Sequence, residues 1–295
     1  MEQVRISFYD QIAANKRKSW LLMFLIFLVF LLLGYVISKV YSQGSFFFIM
    51  ILAIIISISY ILISYYNSDK IALASVSAKP ASRTEFKQYY DSVEGLCLAS
   101  GLPMPKLYIM NNEQINAFAT GRDPEHAVVC ITSGAAQKLS KQELEGVLSH
   151  EMSHIANFDI RFMTLVAVMV GMIAIISEIF LRSMWFKSSD RESKGNAIFL
   201  LIGIVLAILA PIVVQLVQLA ISRKREFTAD ATAVKFTRTP TGLIGALKKI
   251  KNDQPMKVNK AVSSLFMSDP ARSKMQSLFS THPDINKRIK ILEKM

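Results

Sequence analysis

Two histidines separated by three residues carry the clearest chemical signal in this sequence. They are the two ends of the run His150-Glu151-Met152-Ser153-His154. On a helix, four residues make just over one turn, so both imidazoles project from one face and can converge on one zinc ion. Glu151 follows the first histidine and is placed to move a proton from a zinc-bound water to the leaving amine. The run therefore predicts a zinc site that hydrolyses peptide bonds.

The residues before this run predict the helix that it needs. Ser140 and Glu143 have the spacing of a capping box, and Leu139 and Leu144 occupy the positions of a hydrophobic staple. We expect the helix to continue through His154. The competing interpretation is a surface histidine pair beside an acidic residue, but the chain has only four histidines and this spacing is rare by chance.

A catalytic zinc ion needs a third protein ligand, and three residues are candidates. His126 and His282 are the remaining histidines, and Glu226 follows the last apolar segment of the chain. Topology favours Glu226. Two apolar segments separate His154 from Glu226, and if they form a hairpin in the membrane, the chain returns to the membrane face that it left after His154. Asp230 lies one helical turn further and could accept the free N–H of a zinc-bound imidazole. Alternatively, Glu226 pairs with a neighbouring basic residue on a charged helix.

Four apolar segments distinguish this chain of 295 residues, 52% of them hydrophobic, from an ordinary soluble domain. They cover residues 19–40, 46–66, 162–181 and 197–221. Each reaches about the 20 residues that a helix needs to cross the hydrocarbon core. The first pair is too long and apolar for buried core helices. The second pair contains polar residues such as Glu178 and Gln215, so it either spans the membrane or packs as a hairpin on the catalytic domain.

Basic residues near the apolar segments predict the orientation in the membrane. Lys16, Arg17 and Lys18 precede the first segment, and residues 223–225 follow the fourth, whereas the turn over residues 41–45 is uncharged. The positive-inside rule places the basic clusters in the cytoplasm. The loop over residues 182–196 is also basic and conflicts with this orientation, which weakens the expectation for the second pair. Topology and anionic lipid account for the net charge of +12, and no motif suggests a nucleic-acid partner.

The order of these features resembles that of the HtpX membrane proteases, relatives of the zinc-dependent CAAX prenyl proteases. The resemblance consists of H-E-x-x-H, two apolar segments, and then the run Ser222-Arg223-Lys224-Arg225-Glu226-Phe227-Thr228-Ala229-Asp230. The opening run from Asp10 to Lys18 is similar to that of HtpX homologues from Gram-positive bacteria, and the layout matches over essentially the full chain. The resemblance implies that Glu226 is the third zinc ligand. It also implies that the Asp230 carboxylate contacts a zinc ligand and does not bind the metal itself.

The resemblance also implies a strand that binds substrate. The Asn-Ala-Phe-Ala segment of the family matches Asn116, Ala117, Phe118 and Ala119. In the family this segment resembles an edge strand, and an extended substrate pairs with it through main-chain hydrogen bonds.

A third implication concerns the C-terminus, where a His-Pro pair followed by an arginine matches His282, Pro283 and Arg288. The resemblance implies that His282 approaches the metal or the oxyanion, with Arg288 nearby. As a donor to the oxyanion, His282 would stabilise charge that develops in the transition state. Considered by itself, His282 before a proline is equally well explained as a structural turn residue.

These observations predict an α+β integral membrane protein, with four mainly apolar helices and a zincin-like cytoplasmic catalytic domain. The expected parts are a cytoplasmic N-terminus (1–18), a two-helix anchor (19–66), a first catalytic part (67–160), a membrane hairpin (161–221) and a second catalytic part (222–295). Within the first catalytic part, the sequence predicts a helix over 82–100 that Gly101 ends, and strands over 106–110, 116–121 and 127–132. The second catalytic part is expected to be mainly helical.

Five further polar or titratable residues receive no catalytic role. His126 is interpreted as a surface loop residue. Asn157 and Asp159 either help to position the zinc helix or form its solvated end. Cys97 and Cys130 lack the spacing of metal ligands and are expected to be buried free thiols in a reducing compartment.

The expected function is that of a zinc endopeptidase with one Zn²⁺ per chain, at the cytoplasmic face of a bacterial plasma membrane. Its partners would be the lipid bilayer and polypeptide substrates, which the resemblance implies are misfolded or damaged membrane proteins. A non-enzymatic scaffold would not need Glu151, and few intramembrane charges argue against a transporter. An intramembrane protease is disfavoured because charged residues flank the motif: Glu143, Glu145, Asp159 and Arg161.

Overall fold

The computed structural model describes residues 8–40, 45–168, 223–256, 265–268 and 283–295. The chain opens with two long helices, α1 (Phe8–Val40) and α2 (Phe46–Tyr66), which pack along each other. In these described ranges one helix, α2, is long and apolar enough to cross a membrane, and most of its surface faces outward. The first apolar segment forms the last two thirds of α1. Residues 169–181 of the third segment and all of the fourth lie outside the described residues, so four membrane helices stay a prediction.

A small mixed sheet forms one layer of the catalytic part. Its strands are β1 (Lys79–Pro80), β2 (Lys106–Met110), β3 (Ala117–Gly121) and β4 (Ala127–Thr132), in the order β1-β2-β4-β3. β2 and β4 pair in parallel, and the other two pairs are antiparallel. Every residue of β3 and β4 is buried, which explains why β4 is a nearly continuous apolar run. The strands expected at 106–110 and 127–132 are confirmed, and the third begins at Ala117.

Helix α4 (Lys87–Ser100) begins later than the sequence predicts, after the short helix α3 (Ser68–Ser75) and β1. The expected start at Ser82 was wrong. The amide of Ala81 still pairs with the Leu107 carbonyl, and the Ser82 and Thr84 hydroxyls bond each other, which favours a local turn over a helix. The helix ends at Gly101 in the left-handed conformation (φ 72°), as its sequence predicts.

The zinc-motif helix α6 (Lys141–Ala156) follows the short α5 (Ser133–Lys138) and lies at the centre of the catalytic part. Ser140 accepts from the Glu143 amide and Glu143 accepts from the Ser140 amide, so the capping box is confirmed. Leu139 and Leu144 are buried in one core, as a staple requires. After a turn in which Phe158 has φ 57°, residues 159–168 are helical.

The second catalytic part is mainly helical where it is described, as expected. Its helices are α7 (Arg223–Thr237), α8 (Thr241–Asn252) and α9 (Ile285–Leu292). Both α7 and α8 pack on α6. At the crossing with α8, Gly146 of α6 faces the backbone of Gly242 and Leu243 with no space for a side chain. The additional short segment Leu265–Ser268 lies beside β3, with Phe266 bridged to Phe118.

Both cysteines are free thiols, as expected. Cys130 lies inside the core, where burial raises the pKa of its thiol. Cys97 is half-buried, so the expectation of burial is right for Cys130 and wrong for Cys97. Neither position has the exposure and lowered pKa of a reactive thiol.

Candidate metal centre

The two histidines of α6 face each other across a buried space. Their Nε2 atoms are 3.3 Å apart, and the two rings are nearly perpendicular. Both side chains are buried. Two imidazole nitrogens that converge on one buried space offer two ligands to a single cation.

Glu226 brings a third donor to the same space from α7. Its Oε2 is 3.6 Å from His150 Nε2, and its Oε1 is 3.7 Å from His154 Nε2. One ligand atom from each residue lies within 4.8 Å of the others. Ligands around a tetrahedral zinc ion with bonds of about 2.0–2.2 Å stand roughly 3.3–3.6 Å apart. The donor set and its spacing therefore fit a zinc ion.

Asp230 and Arg288 stand behind His150. The Asp230 carboxylate is 3.0 Å from His150 Nδ1, and Arg288 donates to both of its oxygens at 2.6 and 2.9 Å. Arg288 is completely enclosed and also donates to the Met267 carbonyl. An acceptor at Nδ1 holds the imidazole in the tautomer and orientation that direct Nε2 toward the metal.

The electrostatics of His150 reflect this setting. Burial and the nearby Arg288 lower its pKa, but the hydrogen bonds of Asp230 and Glu226 outweigh them and raise the pKa of His150 to about 9. Burial raises the pKa of Asp230, and the Arg288 guanidinium overcomes this and holds it below its usual range. A metal ion at this site would therefore compete with a proton for His150.

His154 has its own acceptor on the other side of the site. Its Nδ1 is 3.1 Å from Asp159 Oδ2, and Asp159 is buried. The interpretation of Asp159 as part of a solvated helix end is therefore wrong. A further hydrogen bond connects Asp159 to Asn15 of α1, for which the sequence predicts no role at the site.

Glu151 lies beside the three donors, entirely buried. Its Oε1 has no hydrogen-bond partner among the described residues, and burial raises the pKa of its carboxyl group. A buried polar atom without a partner is uncommon and requires an explanation. A carboxylate that receives a proton during a reaction would have this arrangement, because its partner is then a substrate or a water.

The predicted substrate strand lies next to α6, but part of its outer edge is already paired. The Asn116 side chain binds the backbone of Ser268 and the Ala117 amide, and the Ala117 carbonyl accepts from the Met267 amide. Strand alternation directs the peptide groups of Ala119 to this same edge. Of the expected four residues, Asn116 and Ala117 therefore make internal contacts.

Of the other two histidines, one lies in the part of the chain that the structure describes. His126 is exposed in a short 3₁₀ helix, where it bonds the Asp123 carboxylate. This agrees with its interpretation as a surface residue. His282 lies outside the described residues, whereas Arg288, its partner in the predicted pattern, is next to the metal centre.

A helix that carries His-Glu-x-x-His, completed by a buried glutamate from a second helix, defines the metal site of a zinc metallopeptidase. A profile of peptidase family M48 matches residues 83–295. The chain belongs to peptidase family M48. It is a zinc-dependent, membrane-associated metalloprotease, and its substrates are polypeptides.

Two curated relatives agree with this assignment and with the predicted HtpX resemblance. The chain is 45% identical to a "Protease HtpX homolog" of Caldanaerobacter subterraneus subsp. tengcongensis over 97% of both chains. It is 42% identical to that of Dictyoglomus thermophilum, over 98% of this chain and 95% of the relative. Among solved structures, Ste24p of S. mikatae is 21% identical with a TM-score of 0.47, and the match covers 96% of this chain and 66% of that one.

Proposed function

We propose that this metalloprotease is an endopeptidase that cleaves misfolded or damaged membrane proteins at the cytoplasmic face of a bacterial plasma membrane. The observation that carries the proposal is the buried donor set of His150, His154 and Glu226, with the Glu151 carboxylate beside it. When bound there, zinc would act as a Lewis acid and make water a nucleophile at neutral pH.

Side chains of the protein bind the ion, orient its ligands and transfer the proton. His150, His154 and Glu226 hold the ion, and Asp230 with Arg288 orients His150. Glu151 takes the proton of the attacking water and delivers it to the leaving amine. Its raised pKa suits the first of these roles, because a carboxylate with a raised pKa takes up the proton of the water more readily.

An extended substrate is proposed to pair with β3 within the segment Asn116–Ala119. The contacts of Asn116 and Ala117 with Leu265–Ser268 favour pairing at Ala119, whose peptide groups face the same edge. His282 is proposed to donate a hydrogen bond to the oxyanion. This role of His282 is supported by its position in sequence, six residues before Arg288. The Nη2 atom of Arg288 is 3.3 Å from His150 Nδ1.

The proposed topology is multi-pass, with the five parts defined from the sequence. α2 supports the anchor, because its apolar side chains are largely exposed and would face lipid. α1 exposes Leu21, Phe24, Leu28 and Leu32 in the same way. The basic residues before the first segment and after the fourth are proposed to lie in the cytoplasm with the metal centre.

The decisive experiment replaces Glu151 by glutamine in the full chain, purified in detergent with zinc. We expect cleavage of casein to fall by about 10²–10⁴-fold, with the zinc content unchanged. Glu145→Gln is the matched control, because Glu145 lies on the same helix and pairs with the exposed Lys141. Wild-type cleavage by the Glu151→Gln variant would sink the proposal.

The membrane-protein substrate class needs its own comparison. The wild-type enzyme in liposomes should cleave a co-reconstituted, destabilised membrane protein faster than the same protein in its stable form. Equal rates for the two forms would contradict the preference for misfolded substrates while leaving the peptidase activity established.

A further inference from the structure

The N-terminal part of α1 reaches the metal centre. Asn15 is buried, and its Nδ2 lies 2.6 Å from Asp159 Oδ1 and 3.1 Å from the carbonyl oxygen of Asn157. One amide group therefore donates to both sides of the turn that follows α6. These contacts join residues that are more than 140 positions apart in sequence.

Asp159 contacts His154 as well as Asn15. Its second oxygen, Oδ2, is 3.1 Å from His154 Nδ1. A carboxylate that accepts at Nδ1 fixes the tautomer of an imidazole and leaves Nε2 free to bind a metal. The Asn15 amide thus orients Asp159, and Asp159 orients His154. Arg225 adds a positive charge on the same carboxylate, with Nη1 3.7 Å from Oδ1.

The turn between α6 and Asp159 has a backbone conformation that needs support. Phe158 has φ 57°, which is unfavourable for a bulky residue and persists only where surrounding contacts impose it. α1 supplies such contacts. The Lys16 ammonium lies 4.4 Å from the centre of the Phe158 ring, and Asn15 binds the preceding carbonyl. The same part of α1 therefore holds both the turn and the carboxylate that the turn presents.

Apolar packing also joins α1 to the chain that follows this turn. Leu22, Met23 and Ile26 of α1 form a buried cluster with Phe162 and Leu165 of the helical segment 159–168. This cluster lies only two helical turns beyond Asn15. α1 is thus packed against the chain that leaves the zinc helix, so the position of Asn15 relative to Asp159 is well defined.

We propose that Asn15 is a positioning residue of the metal centre, acting through Asp159 on His154, and that α1 is for this reason a part of the metal site as well as an anchor. The inference rests on the proposed role of His154 as a zinc ligand. Asn15 touches neither the metal donors nor a substrate, so its effect must be visible in metal binding.

The test measures zinc affinity of the full chain in detergent by competition with a chromophoric chelator. Asn15→Ala should weaken zinc binding by about 10–100-fold, which is the range for loss of an outer-shell partner. It should also shift the absorption bands of the cobalt-substituted protein. Asn67→Ala is the matched control, because this exposed amide binds the Ile63 carbonyl at the C-terminal end of α2, and we expect wild-type affinity.

Two more variants separate positioning from packing. Asn15→Asp keeps the size of the side chain but removes the donor and faces Asp159 with a second carboxylate, so it should impair zinc binding at least as much as Asn15→Ala. In an Asp159→Ala background, Asn15→Ala should have no further effect on zinc affinity. If Asn15→Ala does not fold, Asn15→Ser takes its place with a smaller expected loss.

The outcomes distinguish this inference from the function on which it rests. Wild-type zinc affinity and cobalt spectra in folded Asn15→Ala and Asn15→Asp would overturn the positioning role. Additive losses in the Asp159→Ala background would also overturn it, because Asn15 would then act by another route. If His154→Ala itself bound zinc like the wild type, the proposed ligand set would fail instead.

Discussion

At the scale of single residues, the metal site depends on side chains with very different sequence signals. His150, Glu151 and His154 could be predicted because helical spacing is a local property. Glu226 required an argument from membrane topology. Asn15 could not be predicted, since only the folded chain brings it to Asp159.

Arg288 offers a residue-scale prediction about stability. Arg288→Ala leaves Asp230 buried without its bidentate partner, so it should lower the free energy of unfolding by about 3–5 kcal/mol. Denaturant unfolding of the metal-free chain measures this change.

Arg83→Ala is the control for this prediction. Arg83 pairs with Glu94 on the surface, where such ion pairs contribute about 0–1 kcal/mol. Equal losses for the two variants would contradict a special role of the buried pair.

At the scale of elements, patterns with local causes were predicted well. The capping box correctly predicted where α6 starts, and Gly101 correctly predicted where α4 ends. β1 and α3 were not predicted, because each is too short for a periodic pattern and forms through contacts with distant residues. The start of α4 was wrong for a related reason, since the pairing of Ala81 with Leu107 continues past β1.

The crossing of α6 and α8 leads to a prediction about the zinc helix. A Cβ at Gly146 would overlap the backbone of Leu243 and Gly242, so Gly146→Ala should push the helices apart. We expect a loss of about 1–3 kcal/mol in the free energy of unfolding, as for other overpacked sites.

Gly95→Ala is a matched helical control, because a Cβ there has open space. It should stabilise the chain by about 0.5–1 kcal/mol through helix propensity. If Gly146→Ala also proved stabilising in urea titrations, the close approach would be disproved.

Asp253, at the end of α8, should make stability depend on pH. Partial burial raises its pKa, but the amides of Ile115 and Gln254 and the ammonium of Lys138 together lower it below the ordinary value. Its contribution is therefore fully present above the ordinary carboxyl pKa and disappears as pH falls through the lower folded value. Asp253→Asn should destabilise the chain at pH 7, and the difference should narrow below about pH 4.

Unfolding midpoints across this pH range test the expectation. Asp91→Asn provides the comparison, because Asp91 makes an exposed pair with Lys87 and should have a smaller effect throughout. A constant difference between wild type and Asp253→Asn at all pH values would count against it.

At the scale of the whole molecule, the proposed orientation predicts where reporters will be active. Alkaline phosphatase inserted into the uncharged turn 41–45 should be active, because that turn would face outward. A fluorescent protein fused after Met295 should fluoresce, because the C-terminus would lie in the cytoplasm. The opposite pattern in both fusions would invert the topology and place the metal centre outside.

The segment Leu265–Ser268 beside β3 has a consequence for self-association. Unpaired strand edges recruit other strands, and neighbouring copies confined to one membrane plane meet often. By covering the start of β3, this segment shortens the edge that two copies could share. The chain would thereby keep the rest of β3 for the proposed pairing with substrate while limiting edge-to-edge aggregation of its sheet.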